Sequence, residues 1–168
     1  KTGKRMQYLK GQQNDGCSIV YSQDGDNICS VSEYNTVKIW DAKTGKKIQT
    51  LKGLQNYVYS VVFRPNGNNT ASAPLDNTVK IWDANTGKQI QTLKGHQSSV
   101  FSVVFSPDGN TIASACGDTT GVSWYAKAGT QIQTLKGHQS SVYGVVFSPD
   151  GTTIASVWIA TRVTIWDA

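Results

Sequence analysis

The sequence predicts an all-β chain made of four copies of one four-stranded antiparallel unit. Three observations carry this reading. Leu-Lys-Gly occurs at 9–11, 51–53, 93–95 and 135–137, each start 42 residues after the last. Trp40, Trp82, Trp124 and Trp166 keep the same interval, and four such intervals fill the 168 residues. Runs of β-branched and aromatic residues alternate with Gly, Pro and Asp turns, and no stretch carries a helical period.

The elements follow in order along one interval. Lys4–Lys10 has the composition of an outer strand, and its counterparts are Lys88–Leu93 and Gln131–Leu135. Val100–Phe105 is an inner strand of β-branched and aromatic residues. Ser106-Pro107-Asp108-Gly109 is a turn, in which proline presets φ and glycine accepts a positive one. Thr111–Ala115 is a short strand of small residues, Gly117-Asp118 turns the chain, and Val122–Trp124 is the third strand. Ala128-Gly129 turns into the outer strand, completing a meander. Val145–Phe147 and Thr153–Val157 have little polarity on either face, so their sheet needs a neighbour on both sides. Units of about 40–45 residues that stack radially around an axis provide this, as in the blades of a β-propeller.

Composition limits the function. Hydrophobic residues are 38% and charged residues only 16%, which fits sheets covered on both faces. The net charge of +5 comes from lysines at matching repeat places, such as Lys10, Lys52, Lys94 and Lys136. Lysines spread this way guard strand edges, whereas a nucleic-acid footprint clusters on one face, so nucleic acid is not expected as a partner. Cys17, Cys29 and Cys116 are an odd set without paired spacing. They read as free thiols in a reducing compartment, and a cytoplasmic location is expected. No run approaches the roughly 20 apolar residues of a membrane span, and no signal-peptide core is present. Both ends fall at one point of the repeat, as in a trimmed or built segment.

Gly95-His96 and Gly137-His138 open two units, and Trp40-Asp41, Trp82-Asp83 and Trp166-Asp167 close three. With these pairs in phase with the turns, the whole chain resembles the WD-repeat β-propeller family. The resemblance implies a single array with repeat units 11–52, 53–94, 95–136 and 137–168, residues 1–10 serving as the outer strand of a final blade. It also implies a buried hydrogen-bond chain in each blade, running from Trp to Ser to His to Asp. The third unit holds all four as Trp124, Ser114, His96 and Asp118. Leu54 replaces the histidine in the second unit and Ala160 the aspartate in the fourth, while the first has Gln12 and Tyr34 at these places. Only the third blade is expected to be fully tied. A buried indole N–H must find an acceptor and each further polar group a partner, so this set is structural and not a catalytic triad.

Propellers of this family usually have more than four blades. Four blades closing alone must diverge by a quarter-turn, and the small strand Ala71-Ser72-Ala73 favours shallower angles. Two chains are therefore expected to close one eight-bladed ring, Lys4–Lys10 completing the last blade of the other chain. Self-closure as a four-bladed monomer is the alternative.

The resemblance implies a partner-binding ring face. It carries over to Gly16, Ser18 and Glu33 in the first unit, and Tyr57, Tyr59 and Leu75 in the second. In the third and fourth it carries over to Ser99, Phe101 and Gly117, and to Ser141, Tyr143 and Ile159. Tyr57, Tyr59, Phe101 and Tyr143 form an expected aromatic arc. Trp158 beside them reads either as packing against Ile159 or as a partner anchor. The histidines belong to different units, and Cys-x-x-Cys, phosphate-loop and His-Glu-x-x-His motifs are absent, so no metal, cofactor or enzyme activity is expected. The leading reading is a non-catalytic protein-interaction scaffold, its partners being a second copy of itself and an unidentified protein or peptide. A structural or engineered repeat assembly without a selected ligand is the alternative. No membrane partner is expected.

Overall fold

A computed structural model describes Gly3, Lys4, Gln7, Leu9 and residues 18–32, 35–159 and 162–168. Among these, four antiparallel sheets follow one another along the chain. The first contains β1 (Ile19–Tyr21), β2 (Asn27–Ser32), β3 (Thr36–Asp41) and β4 (Lys47–Leu51). The second contains β5 (Val58–Phe63), β6 (Asn69–Pro74), β7 (Thr78–Asp83) and β8 (Gln89–Lys94). The third contains β9 (Val100–Phe105), β10 (Thr111–Cys116), β11 (Gly121–Tyr125) and β12 (Gln131–Leu135). The fourth has three strands, β13 (Val142–Phe147), β14 (Thr153–Trp158) and β15 (Arg162–Asp167). Each sheet is a meander with strands in sequence order.

Register repeats with the sequence. Trp40, Trp82, Trp124 and Trp166 pair with Ile28, Thr70, Ile112 and Ile154 on the strand before. In the first three sheets a bulge at the tryptophan shifts pairing with the outer strand, which raises local twist. Ser106 makes the first hairpin turn of the third sheet self-sufficient. Its hydroxyl donates to Asp108 and accepts from Thr111 N, and Gly109 takes φ +74°. Ser22 and Ser148 repeat the arrangement with Asp24 and Asp150.

The core lies between sheets. One face of the first sheet (Cys29, Val31, Val37, Ile39) packs on Val58, Val61 and Phe63 of the second. Ala71, Ala73, Val79 and Ile81 meet Val100, Val103 and Ile112 in the same way, and Ala113 and Ala115 meet Val142, Val145 and Ile154. The first and fourth sheets make no extensive contact with each other. Their outward faces stay apolar and open: Ile19 and Tyr21 on one, Val146, Val157, Val163 and Ile165 on the other.

A glutamine crosses each junction. Gln49 lies over Gly87 and Gln91 over Gly129, so close that a Cβ at either glycine would collide with the amide. Gln133 Nε2 donates to Asp167 O at 2.8 Å. Gln7 lies over Gly45 in the same manner. It thus occupies the place of an outermost strand ahead of the first sheet, although most of Lys4–Lys10 is outside the described residues.

The turn between the second and third strands needs a left-handed residue, taken by Asn35 (φ 55°), Asn77 (φ 64°) and Thr119 (φ 71°). Asparagine tolerates this region, while a β-branched residue is strained there. Thr119→Asn should raise stability by about 1 kcal/mol, read as a higher urea midpoint at unchanged slope. An unchanged midpoint would show that Thr119 carries no strain.

Candidate binding face

Each sheet's first strand starts, and its second-to-third turn sits, at one end of the array. Pairing at that end skips a residue in three sheets. Val58 pairs with Pro74 and Ser60 with Ala73, leaving Tyr59 unpaired between them. Phe101 is skipped in the third sheet and Tyr143 in the fourth. A bulge re-aims the side chain it carries, so one irregularity, repeated, turns three aromatic rings to the same end. Tyr57 and Tyr59 meet edge-on at 5.3 Å between centroids, Tyr59 and Phe101 at 5.2 Å, and Phe101 and Tyr143 stack at 5.0 Å and 19°. The four rings form one ladder across three sheets. Such pairs contribute about 0.5–1.5 kcal/mol each beyond their buried area, so the rings are fixed in place. Tyr59 and Tyr143 are nonetheless 37% and 47% exposed.

Leu75 and Ile159 are exposed in the neighbouring turns. Leu75 N donates to Tyr57 O at 2.8 Å, and Gly117 N to Ser99 O at 2.9 Å. Ser141 Oγ donates to Gly117 O at 3.1 Å, tying the third sheet's turn to the fourth sheet. The four rings, Leu75 and Ile159 therefore share one end. Gly16 and Glu33 are outside the described residues, as are Gln12, Cys17, Tyr34 and Ala160.

Of the two readings of Trp158, packing and partner anchor, its burial supports packing. It is buried at 8% exposure, packs in the core between the third and fourth sheets, and meets His138 edge-on at 6.4 Å. It shares that core with the small residues Ala113 and Ala115.

Beneath the face, Trp40, Trp82, Trp124 and Trp166 donate Nε1–H to Ser30, Ser72, Ser114 and Ser156 at 2.8–2.9 Å. His96 Nε2 lies 2.7 Å from Ser114 Oγ, and His138 Nε2 lies 2.7 Å from Ser156 Oγ. The fully tied set expected in the third sheet needs correcting at its last link. Asp118 Oδ2 is 3.7 Å from His96 Nδ1, beyond hydrogen-bond distance. That oxygen accepts from Gln97 N at 2.8 Å instead. Burial lowers the His96 imidazole below its ordinary value, partly offset by Asp118, and burial lowers His138 too.

The second sheet, with Leu54 in place of histidine, has a substitute that sequence reasoning missed. Lys80 Nζ lies 2.7 Å from Asp76 Oδ2. Burial raises the Asp76 carboxyl, but the Lys80 ammonium and the Thr78 hydroxyl more than offset it, and the group sits below its ordinary value. The signal available was Lys80 itself, four residues after Asp76 and aligned with apolar Val122 in the third unit. Cys29 and Cys116 are free and buried.

The family model of the WD domain, G-beta repeat, matches residues 3–41, 45–83, 87–124 and 129–160. The chain belongs to the WD-repeat family. WD-repeat domains are typically non-catalytic scaffolds and commonly bind other proteins or peptides. The second and third matches each begin ahead of one sheet's outer strand and end in the third strand of the next. A WD repeat in this chain therefore straddles two sheets. No curated protein matches the chain, and among the described residues no helix is long and apolar enough to cross a membrane.

Proposed function

We propose that this WD-repeat chain is a non-catalytic interaction scaffold that holds a protein or peptide on the Tyr57, Tyr59, Phe101 and Tyr143 ladder, with Leu75 and Ile159 at its margin. The observation that carries it is the ladder itself: four rings locked to one another by mutual contact, two of them more than a third exposed. Pre-ordered aromatic groups bury large areas with few rotors to freeze, which is why they dominate binding hot spots. A hydrolytic role for His96, Ser114 and Asp118 is disfavoured by packing. Ser114 is 0% exposed, and its Oγ is engaged by Trp124, His96 and Val122 O. A nucleophile needs an open site beside oxyanion donors.

The working unit in this reading is a ring of eight blades from two copies, with array 1–168 as its half. Its support is the repeat itself, since each internal junction joins the two kinds of face that the end sheets leave open.

The scaffold reading is tested on a partner recovered by pull-down with the intact assembly. Tyr59→Ala and Tyr143→Ala should each weaken binding by more than about 1 kcal/mol, while Asn68→Ala, at the opposite end, should leave it unchanged. Equal losses from all three would refute the ladder as the contact surface.

A further inference from the structure

We propose that the ring face selects an acidic peptide segment, which lies across the Tyr57, Tyr59, Phe101 and Tyr143 ladder with its carboxylates towards Lys52, Lys94, Lys136 and Arg162. This inference rests on the ladder being the contact surface and adds the chemistry of what it holds. The four cations sit at the same end as the rings. β8 ends in Lys94, opposite Thr78 beside the second-to-third turn of the second sheet. Lys52 and Lys136 directly follow Leu51 and Leu135, whose partners Val37 and Gly121 stand at the starts of β3 and β11. Each lysine leads in five residues to Tyr57, Ser99 or Ser141 at the face. Five residues span at most about 18 Å. Arg162 opens β15 just after the turn that carries Ile159. All four cations are exposed. Lys52 and Lys136 lie past the last residues of β4 and β12, so guarding a strand edge does not explain them.

Among the described residues of this end, no exposed acid answers these cations. Asp76 is partly buried, and its Oδ2 is 2.7 Å from Lys80 Nζ. Asp118 commits one oxygen to Gln97 N and the other to the backbone and hydroxyl of Thr120. Asp15 and Glu33 of the first unit are outside the described residues. The opposite end has a different balance. Asp24, Asp108 and Asp150 in the hairpin turns, and Asp41, Asp83 and Asp167 at the ends of the third strands, stand there among the lysines. Lys43 pairs with Asp26 at 2.8 Å in the same region. Cations without acids at one end and mixed charge at the other make the ring face positive. Such a face attracts an acidic partner and sets its orientation.

The rings suit a peptide better than a nucleic acid. Tyr57 with Tyr59, and Tyr59 with Phe101, meet edge to face, and Phe101 stacks on Tyr143. Each contact covers a ring face. Single-stranded bases bind by stacking on open ring faces, whereas peptide side chains pack on ring edges as well.

Fluorescence anisotropy of the full chain with a labelled peptide, Glu-Glu-Tyr repeated four times, tests this. The same peptide with glutamine for glutamate should bind roughly tenfold more weakly, and added salt should weaken the acidic peptide alone. Lys52→Gln, Lys94→Gln and Lys136→Gln together should cost the acidic peptide about tenfold in affinity. Lys46→Gln, Lys88→Gln and Lys127→Gln remove the same charge at the opposite end and should change nothing. No binding of the acidic peptide, equal affinity for the two peptides, equal losses from the two triple variants, or equally tight binding of a labelled oligouridylate would overturn the proposal. Failure of the ladder itself reads differently. If Tyr59→Ala weakened a partner recovered by pull-down and the Lys52, Lys94 and Lys136 variant bound it normally, the ladder would stand and the acidic-peptide inference would fall.

Discussion

Ser114→Ala should cost the protein about 2–6 kcal/mol of stability. Ser114 Oγ is shared by Trp124 Nε1 and His96 Nε2, and serine, tryptophan and histidine are all buried. Removing the oxygen orphans two polar groups at once, each at about 1–3 kcal/mol. Ser72→Ala in the second sheet is the internal control. There the oxygen serves Trp82, and Leu54 stands where the histidine would be. One group is orphaned, so a loss of about 1–3 kcal/mol is expected. The two losses are compared by urea unfolding at one fixed protein concentration, because any self-association makes apparent stability depend on it. In a His96→Leu background the cost of Ser114→Ala should fall towards that of Ser72→Ala. Equal losses in all three settings would mean that the histidine draws nothing from the serine.

The fold was legible because the repeat supplied each inference four times. A single Ser-Pro-Asp-Gly or Trp-Asp could arise anywhere, while the same elements at an interval of 42 fix strand order and turn position. Strand limits moved by one to three residues, as at Thr111–Cys116 and Val142–Phe147, since the ends of short strands depend on neighbours that one unit does not contain. Less was legible at the site. The aromatic positions could be named, but not that a skipped pairing aims Tyr59, Phe101 and Tyr143 to one end. A bulge depends on two strands together and has no signature in either. Trp158 carried two readings for a related reason: large aromatics suit both a hot spot and a core, and the core it joins contains residues of another sheet, such as Ala113 and Ala115. The glutamines at 7, 49, 91 and 133 were in plain view at the repeat interval. Their meaning appears only where two sheets meet, with a glycine beneath Gln7, Gln49 and Gln91 and the Asp167 carbonyl accepting from Gln133.

Charging the open face of the fourth sheet should split the proposed two-chain ring. Val163 and Ile165 are 68% and 71% exposed, whereas Val37 and Ile39, at the same places in the first sheet, are 0% and 2% exposed. The other end mirrors this. Ile19 and Tyr21 are 68% and 62% exposed, while Val61 and Phe63 at the matching places are 2% and 8%. Each internal junction joins these two kinds of face, so the surface suited to Val163 and Ile165 is the one that carries Ile19 and Tyr21. A second copy offers it, and two copies related by a two-fold axis satisfy all four open faces. Gln7, seated on Gly45 where an outer strand belongs, fits a first segment that runs beside β15 of the other copy. Light scattering should therefore give twice the 18.2 kDa chain mass at micromolar concentration. Val163→Asp with Ile165→Asp should give the single-chain mass, because an unpaired charge buried at a junction costs several kcal/mol. Far-ultraviolet circular dichroism should hardly change, since neither residue supports the isolated sheet. Deleting residues 1–10 should leave β15 without its neighbour and promote aggregation through the bare edge. A folded wild-type chain that stays at 18.2 kDa and binds no apolar dye would rule out closure by a second copy, because it would have covered Val163 and Ile165 within one chain.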